Sequence, residues 1–254
     1  MGLYDIINGL LESEKSLDVS ILPSQGLFYK KDFKLKIKKC KIEDIKEYEN
    51  GYTKEIGVII NKIRNVVRKS INLSKGYTMD DIKSIDMVFI FLEIVKYTNS
   101  KPIILNYHCD IEDKEKLIKF NSDNFNYAKI SEGMMANYNK ELYHFEIDNY
   151  KYSLPTIGVE DSLAKFLIKK AKEGENIYNE YSYDFIYFLG YKNKLSESEV
   201  LNLIQIFNFD IDENEFRKIS YIVEEFLPLQ RYSLIKDDIV IDIRSKINLE
   251  KVWQ

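Results

Sequence analysis

Hydrophobic positions recur along this chain at two periods, and the switches between them outline its elements. In "FKLKIK", residues 33 to 38, Phe33, Leu35 and Ile37 alternate with three lysines, the period of a strand with one buried face. Lysines on the other face would discourage edge pairing. From Lys54 to Val67, residues Ile56, Ile59, Ile60, Ile63, Val66 and Val67 return every three or four positions, which predicts an amphipathic helix. Thr78 followed by Asp80 and Asp81 marks a helix start. Ile82, Ile85, Val88, Phe89, Leu92 and Val95 then continue an apolar face, so a second long helix is expected there. After "NSKP" the pattern shortens. "IILNYH", the broken run around "FNYAKI", "LYHFEI" and "YKYSL" are β-branched and aromatic and predict strands.

Beyond Pro155 the helical period returns. "EDSLAKFLIKKAKEG" places Leu163, Phe166, Leu167 and Ala171 on one face and ends at Gly174, a C-cap residue. "SYDFIYFLGY", "SESEVLNLIQIFN" and "DENEFRKISYIVEEFL" predict three more helices, the second opened by a capping box of Ser196 and Glu199. Pro228 breaks the last, and "DDIVIDI" alternates like a strand. The expected fold class is α+β, mostly helical, with a small β-rich central segment and short N- and C-terminal strands. The division falls into a helix/strand half with the central β segment at 1–150 and a mainly helical half at 151–254, with one continuous domain as the alternative.

Composition narrows the class. With 254 residues and 45% hydrophobic content, the chain can bury a core without disulfide staples. Thirty-seven basic against 41 acidic side chains leave a net charge of −4, so no overall positive field draws it to nucleic acid or anionic lipid. The segment "MGLYDIINGLLESEKS" lacks the basic start and cleavage site of a secretory signal, and no apolar run approaches the ~20 residues that span a bilayer. Only Cys40 and Cys109 occur, which fits a reducing compartment. Ile6, where a Ser or Thr is wanted, argues against myristoylation of Gly2. The expectation is a soluble intracellular protein.

One short element occurs twice. "LPSQG" begins at Leu22 and "LPTIG" at Leu154, with Pro23 and Pro155 separated by 155 − 23 = 132 positions. Leu before Pro favours extended backbone, Pro sets φ, Ser24 or Thr156 can bond nearby backbone, and Gly26 or Gly158 supplies a permissive turn. Each element is expected to close a strand into a turn.

The chain carries no Gly-rich phosphate loop, no His-Glu-x-x-His, no Gly-x-Ser-x-Gly and no Cys-x-x-Cys. Its two imidazoles are His108 and His144. "YHCD", residues 107 to 110, gathers His108, Cys109 and Asp110, but neighbours on a strand point to opposite faces and cannot converge on one ion. Neither a metal nor another cofactor is expected, and Cys109 lacks a visible activating base. Glu43, Asp44, Asp80, Asp81, Glu197 and Glu199 sit at helix starts, where the helix dipole accounts for them. No catalytic residue is assigned.

The aromatic surplus is the remaining signal. Tyr178, Tyr181, Tyr183, Tyr187 and Tyr191 crowd one stretch with Phe185 and Phe188. Tyrosine offers rigid contact area with a polar tip, which suits partner binding. Phe185, Phe188 and Leu189 are expected to face inward.

In order along the chain, "LPSQGLFY", "FKLKIKKCKIEDIKEYE", "SIDMVFIFLEIVKYTNSKPIILNYHCDI", "YSLPTIG" and "EFLPLQRYSLIKDDI" resemble the baseplate hub and hub-assembly proteins of T4-like contractile-tailed bacteriophages. The resemblance departs at Cys109, which has no near partner where relatives carry paired cysteines. It implies a non-enzymatic tail-morphogenesis protein, either a hub subunit or an assembly chaperone. Its partners would be other hub or tail proteins, with no nucleic acid, membrane or small-molecule substrate. It would act in the host cytoplasm during assembly, with retention in the virion left open. Two other classes fit the residues: a general protein-binding adaptor, and a hydrolase whose carboxylates converge on His108 or His144.

Overall fold

The computed structural model describes residues 13–50, 55–99, 102–121, 124–174, 185–186, 188–189, 192–207, 211–230, 232–236, 239–243, 247–249 and 252–253. Helices and small antiparallel sheets mix in it, as an α+β chain requires. The first sheet has the order β1-β2-β3, built from Glu14–Leu17, Leu35–Lys38 and Ile71–Leu73. Phe33, Leu35 and Ile37 are buried as the alternation predicts. The lysines do not guard an edge, because β2 is the central strand. Lys36 and Lys38 instead reach Glu14 across the β1 pairing, at 3.0 and 3.6 Å.

Helix α1 (Ile42–Glu49) and helix α2 (Ile56–Ser70) follow β2 and precede β3. The amphipathic period of α2 buries Ile63, Val66 and Val67. Helix α3 (Met87–Asn99) is buried all round from Met87 to Val95, the environment of a central core helix. The long helix expected from Thr78 is interrupted. Thr78 and Asp81 do form a capping box, but over a 3-10 turn of only Met79–Asp81. Backbone is extended at Ile82 and Lys83, a second 3-10 turn covers Ser84–Asp86, and α3 starts after it. The break has a partner: Ile157 N–H donates to the Ile82 carbonyl and Ser84 N–H to that of Pro155, each at 2.9 Å. Those long-range bonds replace the helical ones.

The central segment holds the expected strands β4 (Ile104–Cys109), β6 (Phe125–Tyr127), β8 (His144–Ile147) and β9 (Tyr150–Tyr152). It also holds β5 (Lys114–Lys119), the helical turn α4 (Glu132–Met135) and β7 (Tyr138–Asn139), which periodicity did not indicate. "KEKLIK" in β5 buries only Ile118, so its charges hide the strand period. These strands do not make one sheet. The orders are β7-β8-β9, β11-β10-β6 and β12-β4-β5, where β10 (Tyr232–Lys236), β11 (Ile239–Asp242) and β12 (Ile247–Asn248) come from the end of the chain.

Helices α5 (Ile157–Lys172), α6 (Glu197–Gln205) and α7 (Glu213–Phe226) begin at side-chain caps from Thr156, Ser196 and Asp212. Ser196 and Glu199 form the predicted capping box. Gly174 follows α5 at φ +76°, and Pro228 lies in the 3-10 turn after α7. Arg64 on α2 binds Asp161 at 2.6 Å and also Glu160, both at the start of α5. Among the described residues, no helix is long and apolar enough to cross a membrane.

Aromatic packing joins the elements into one core. The ring of Phe226 lies 5.2 Å from Phe145, 5.7 Å from Phe188 and 6.2 Å from Tyr152. Phe226→Ala should therefore cost about 3 to 5 kcal/mol in denaturant titration; a loss below about 1 kcal/mol would contradict this placement of the core.

Candidate functional site

Both Leu-Pro elements end on the same stretch, the break between Ile82 and Asp86. Leu22, Pro23, Leu154 and Pro155 are all buried. From the first element, Ser24 N–H donates to Asp86 Oδ1 at 2.8 Å, and the nearby Tyr29 hydroxyl donates to Asp86 Oδ2 at 2.7 Å. Tyr29 also accepts from Lys83 N–H at 2.9 Å. From the second element come the Pro155 carbonyl, the Ile157 amide and the partners of the Lys83 ammonium. Lys83 Nζ donates to Ser153 Oγ and to the Leu154 carbonyl, both at 3.2 Å. The Phe28 ring lies 5.4 Å from that nitrogen, a cation–π approach.

The two elements use their residues differently. In the first, Gln25 N–H donates to the Leu22 carbonyl at 2.7 Å and Leu27 N–H to that of Ser24 at 3.2 Å. Gln25 and Gly26 have φ of +57° and +69°, as the two central residues of a type I′ turn require. Gly26 is thus the expected permissive turn. Gly158 is not: it lies in the first turn of α5, with Thr156 as N-cap. Its glycine character answers to crowding, since a Cβ there would stand 2.3 Å from the Asn193 carbonyl oxygen and 2.7 Å from Asp80 Cβ. Thr156 Oγ1 accepts from Val159 N–H and donates to that Asn193 carbonyl at 2.7 Å. Ser24 Oγ makes no such bond; it is buried without a partner, as is Ser84 Oγ.

Electrostatics at the joint follow from enclosure. Lys83 is 3% exposed and Asp86 is fully buried. Burial pushes the Asp86 carboxyl up to about 6, against its hydrogen bonds from Ser24 and Tyr29. Burial likewise pulls the Lys83 ammonium down to about 8, against the attraction of Asp86 and Asp81. The Tyr29 phenol is raised by burial and by the adjacent Asp86 charge. A lysine this perturbed would suit proton transfer in a cleft. Here the side chain is closed in by protein, so the cluster works as a polar joint that fixes three distant segments in one register.

Lys83, Asp86 and Tyr29 were not singled out by sequence patterning. Their signal was weak but present: Lys83 and Asp86 are the charged residues beside Ile82 and Ile85, just ahead of the apolar run "MVFIFL". The remaining candidates stay apart from the joint. His108 is exposed on β4, 3.4 Å from Asp113 and 3.8 Å from Glu115, while Cys109 is buried and Asp110 exposed. That alternation keeps the "YHCD" donors from converging. His144 is buried, with Glu146 Oε1 at 2.9 Å from Nε2 and the Leu142 carbonyl at 3.0 Å from Nδ1. Phe185, Phe188 and Leu189 are buried as expected. Tyr178, Tyr181, Tyr183, Tyr187 and Tyr191 lie outside the described residues.

A scan against protein-family models, a search of curated proteins and a search of solved structures each found no match to this chain.

Two measurements probe the joint. For a lysine lowered in the folded state, the unfolded chain holds the proton more tightly, so stability rises with pH between about 8 and 10.5. Wild type should gain on the order of 2 to 3 kcal/mol over Lys83→Met across that window; a difference independent of pH would refute the enclosed-lysine account. Gly158→Ala should cost about 2 to 3 kcal/mol through overpacking. Gly26→Val should cost on the order of 1 to 3 kcal/mol through backbone strain. Gln25→Ala keeps the left-handed strain and should change little, whereas Gln25→Gly should gain about 0.5 kcal/mol. Equal melting temperatures across this set would rule the turn geometry out.

Proposed function

We propose that the protein is a non-enzymatic component of contractile-tail morphogenesis, a baseplate hub subunit or hub-assembly chaperone that works by binding other hub or tail proteins. The observation that carries this reading is the meeting of "LPSQGLFY" and "YSLPTIG". These are two of the segments on which the phage resemblance rests, and they supply the buried joint at Lys83 and Asp86. Segments recognisable between distant relatives are those the fold cannot vary freely, and an enclosed hydrogen-bonded network is such a constraint. On the proposed resemblance these segments mark a scaffold, and function is assigned to its surface.

The chemistry near the two histidines favours the same reading. Acid–base work needs an imidazole within reach of a substrate. The His144 ring is buried on its hairpin and bonded at both nitrogens, and His108 stands on an exposed strand face beside Asp113 and Glu115. Partner contact is assigned to the tyrosines of 178–191; of the described residues in that range, Phe185, Phe188 and Leu189 are buried.

Co-expression with the other late tail proteins of a contractile-tailed phage, followed by purification on a tag carried by this chain, should recover a defined complex with a hub protein. Replacing two of Tyr178, Tyr181, Tyr183, Tyr187 and Tyr191 by Ser should weaken that capture about tenfold with the fold intact. His108→Gln and His144→Gln should leave assembly unaffected. Loss of assembly in the folded histidine variants, with the tyrosine variants unimpaired, would give the hydrolase alternative the stronger case. Capture of host proteins alone from infected cells would favour the general adaptor.

A further inference from the structure

We propose that the cavity between the β8–β9 turn and the start of α7 is a binding site for a guanidinium or ammonium side chain carried on a peptide. The cavity has a volume of about 350 Å³, within the range of sites that hold small ligands and side chains. Its polar lining includes Asp148, Tyr150, Tyr152, Asp212, Glu215 and Lys218. Three carboxylates face one ammonium, so the site repels anions and attracts a cation.

An independent feature shows what the ligand must also carry. The Tyr152 side chain is fully buried, and its hydroxyl has no hydrogen-bond partner. Its neighbour Tyr150 is satisfied, donating to Glu215 Oε1 at 2.7 Å. Burial raises the Tyr152 phenol, and so do Tyr150, Asp148 and Glu215. It therefore stays protonated at neutral pH and is a donor in want of an acceptor. An unmade bond of this kind destabilises the free protein, and a ligand acceptor would remove that cost. A peptide carbonyl would accept from it while the adjoining basic side chain meets the carboxylates. A simple metal ion meets neither need, and among the described residues no group of three or more His, Cys, Asp or Glu is placed to hold one.

The peptide source rests on the reading of this chain as a protein-binding component. The cation preference of the cavity does not. Titration of the full chain with N-acetyl-arginine methylamide, followed by NMR, should give saturable shifts at millimolar concentration, and the citrulline analogue should give none. Tyr152→Phe removes only the orphan hydroxyl. It should leave the free protein as stable as wild type or more so, while weakening arginine binding about tenfold. Asp148→Asn removes a charge at a position with φ +49°, which Asn tolerates as well as Asp, and should weaken binding at least as much. No saturable binding, equal binding of citrulline, or affinity unchanged in both variants would overturn the site. Tighter binding of free arginine than of the capped derivative would overturn the peptide source. A positive titration with no hub complex on co-expression discards the hub reading alone, and the reverse result discards the cavity alone.

Discussion

Asp86 receives hydrogen bonds from Ser24 and Tyr29, residues about sixty positions away in sequence, and the backbone of Ile82 and Ser84 just before it is bonded to the stretch 155–157. With Lys83 bonded to Ser153 and Leu154, this short segment is where two remote parts of the chain are held. Removing one partner from such a network leaves a buried charge or donor unmatched, which costs more than the bond itself contributes. The segment cannot become helix without giving up these bonds. The helix beginning at Met87 is therefore set in its position by what precedes it as much as by its own apolar residues.

That arrangement has a consequence for the sheets. The strands of the central segment are divided among three sheets, two of which are completed by strands from the end of the chain. Tyr127 pairs with Tyr232, and Tyr107 with Ile247. Such pairings carry a large loop-closure cost before they stabilise anything. In the folded chain the joint at residues 82–86 and the aromatic cluster around Phe226 hold the same regions together. Trp253 reinforces this, lying edge-on to Tyr48 and Phe91, while the Tyr48 hydroxyl donates to the Leu249 carbonyl at 2.6 Å.

Charge is placed in two regimes. Exposed pairs such as Glu14 with Lys36 and Lys169 with Glu197 are solvated and contribute little to stability. Lys83 and Asp86 are enclosed, and their burial is a cost that the fold accepts in exchange for register. A buried polar joint of this kind fixes a single arrangement of the segments that it bonds.

Much of the chain was legible locally. The burial of Phe33, Leu35 and Ile37, the amphipathic α2, the capping box at Ser196 and the left-handed Gly26 each follow from residues within one element, where period and backbone preference act over a few positions. Both Leu-Pro elements could be found as well, though not their convergence. The break at Ile82, the burial of Lys83 and Asp86, the crowding at Gly158 and the sharing of strands among three sheets were decided by tertiary structure. Each depends on a group supplied by a residue dozens of positions away, and such a contact leaves no periodic trace at either end. The residues around 82 carry helix-compatible patterning of their own. Hydrogen bonds with residues 155–157, a stretch about seventy positions away in sequence, take the place of the helical ones there.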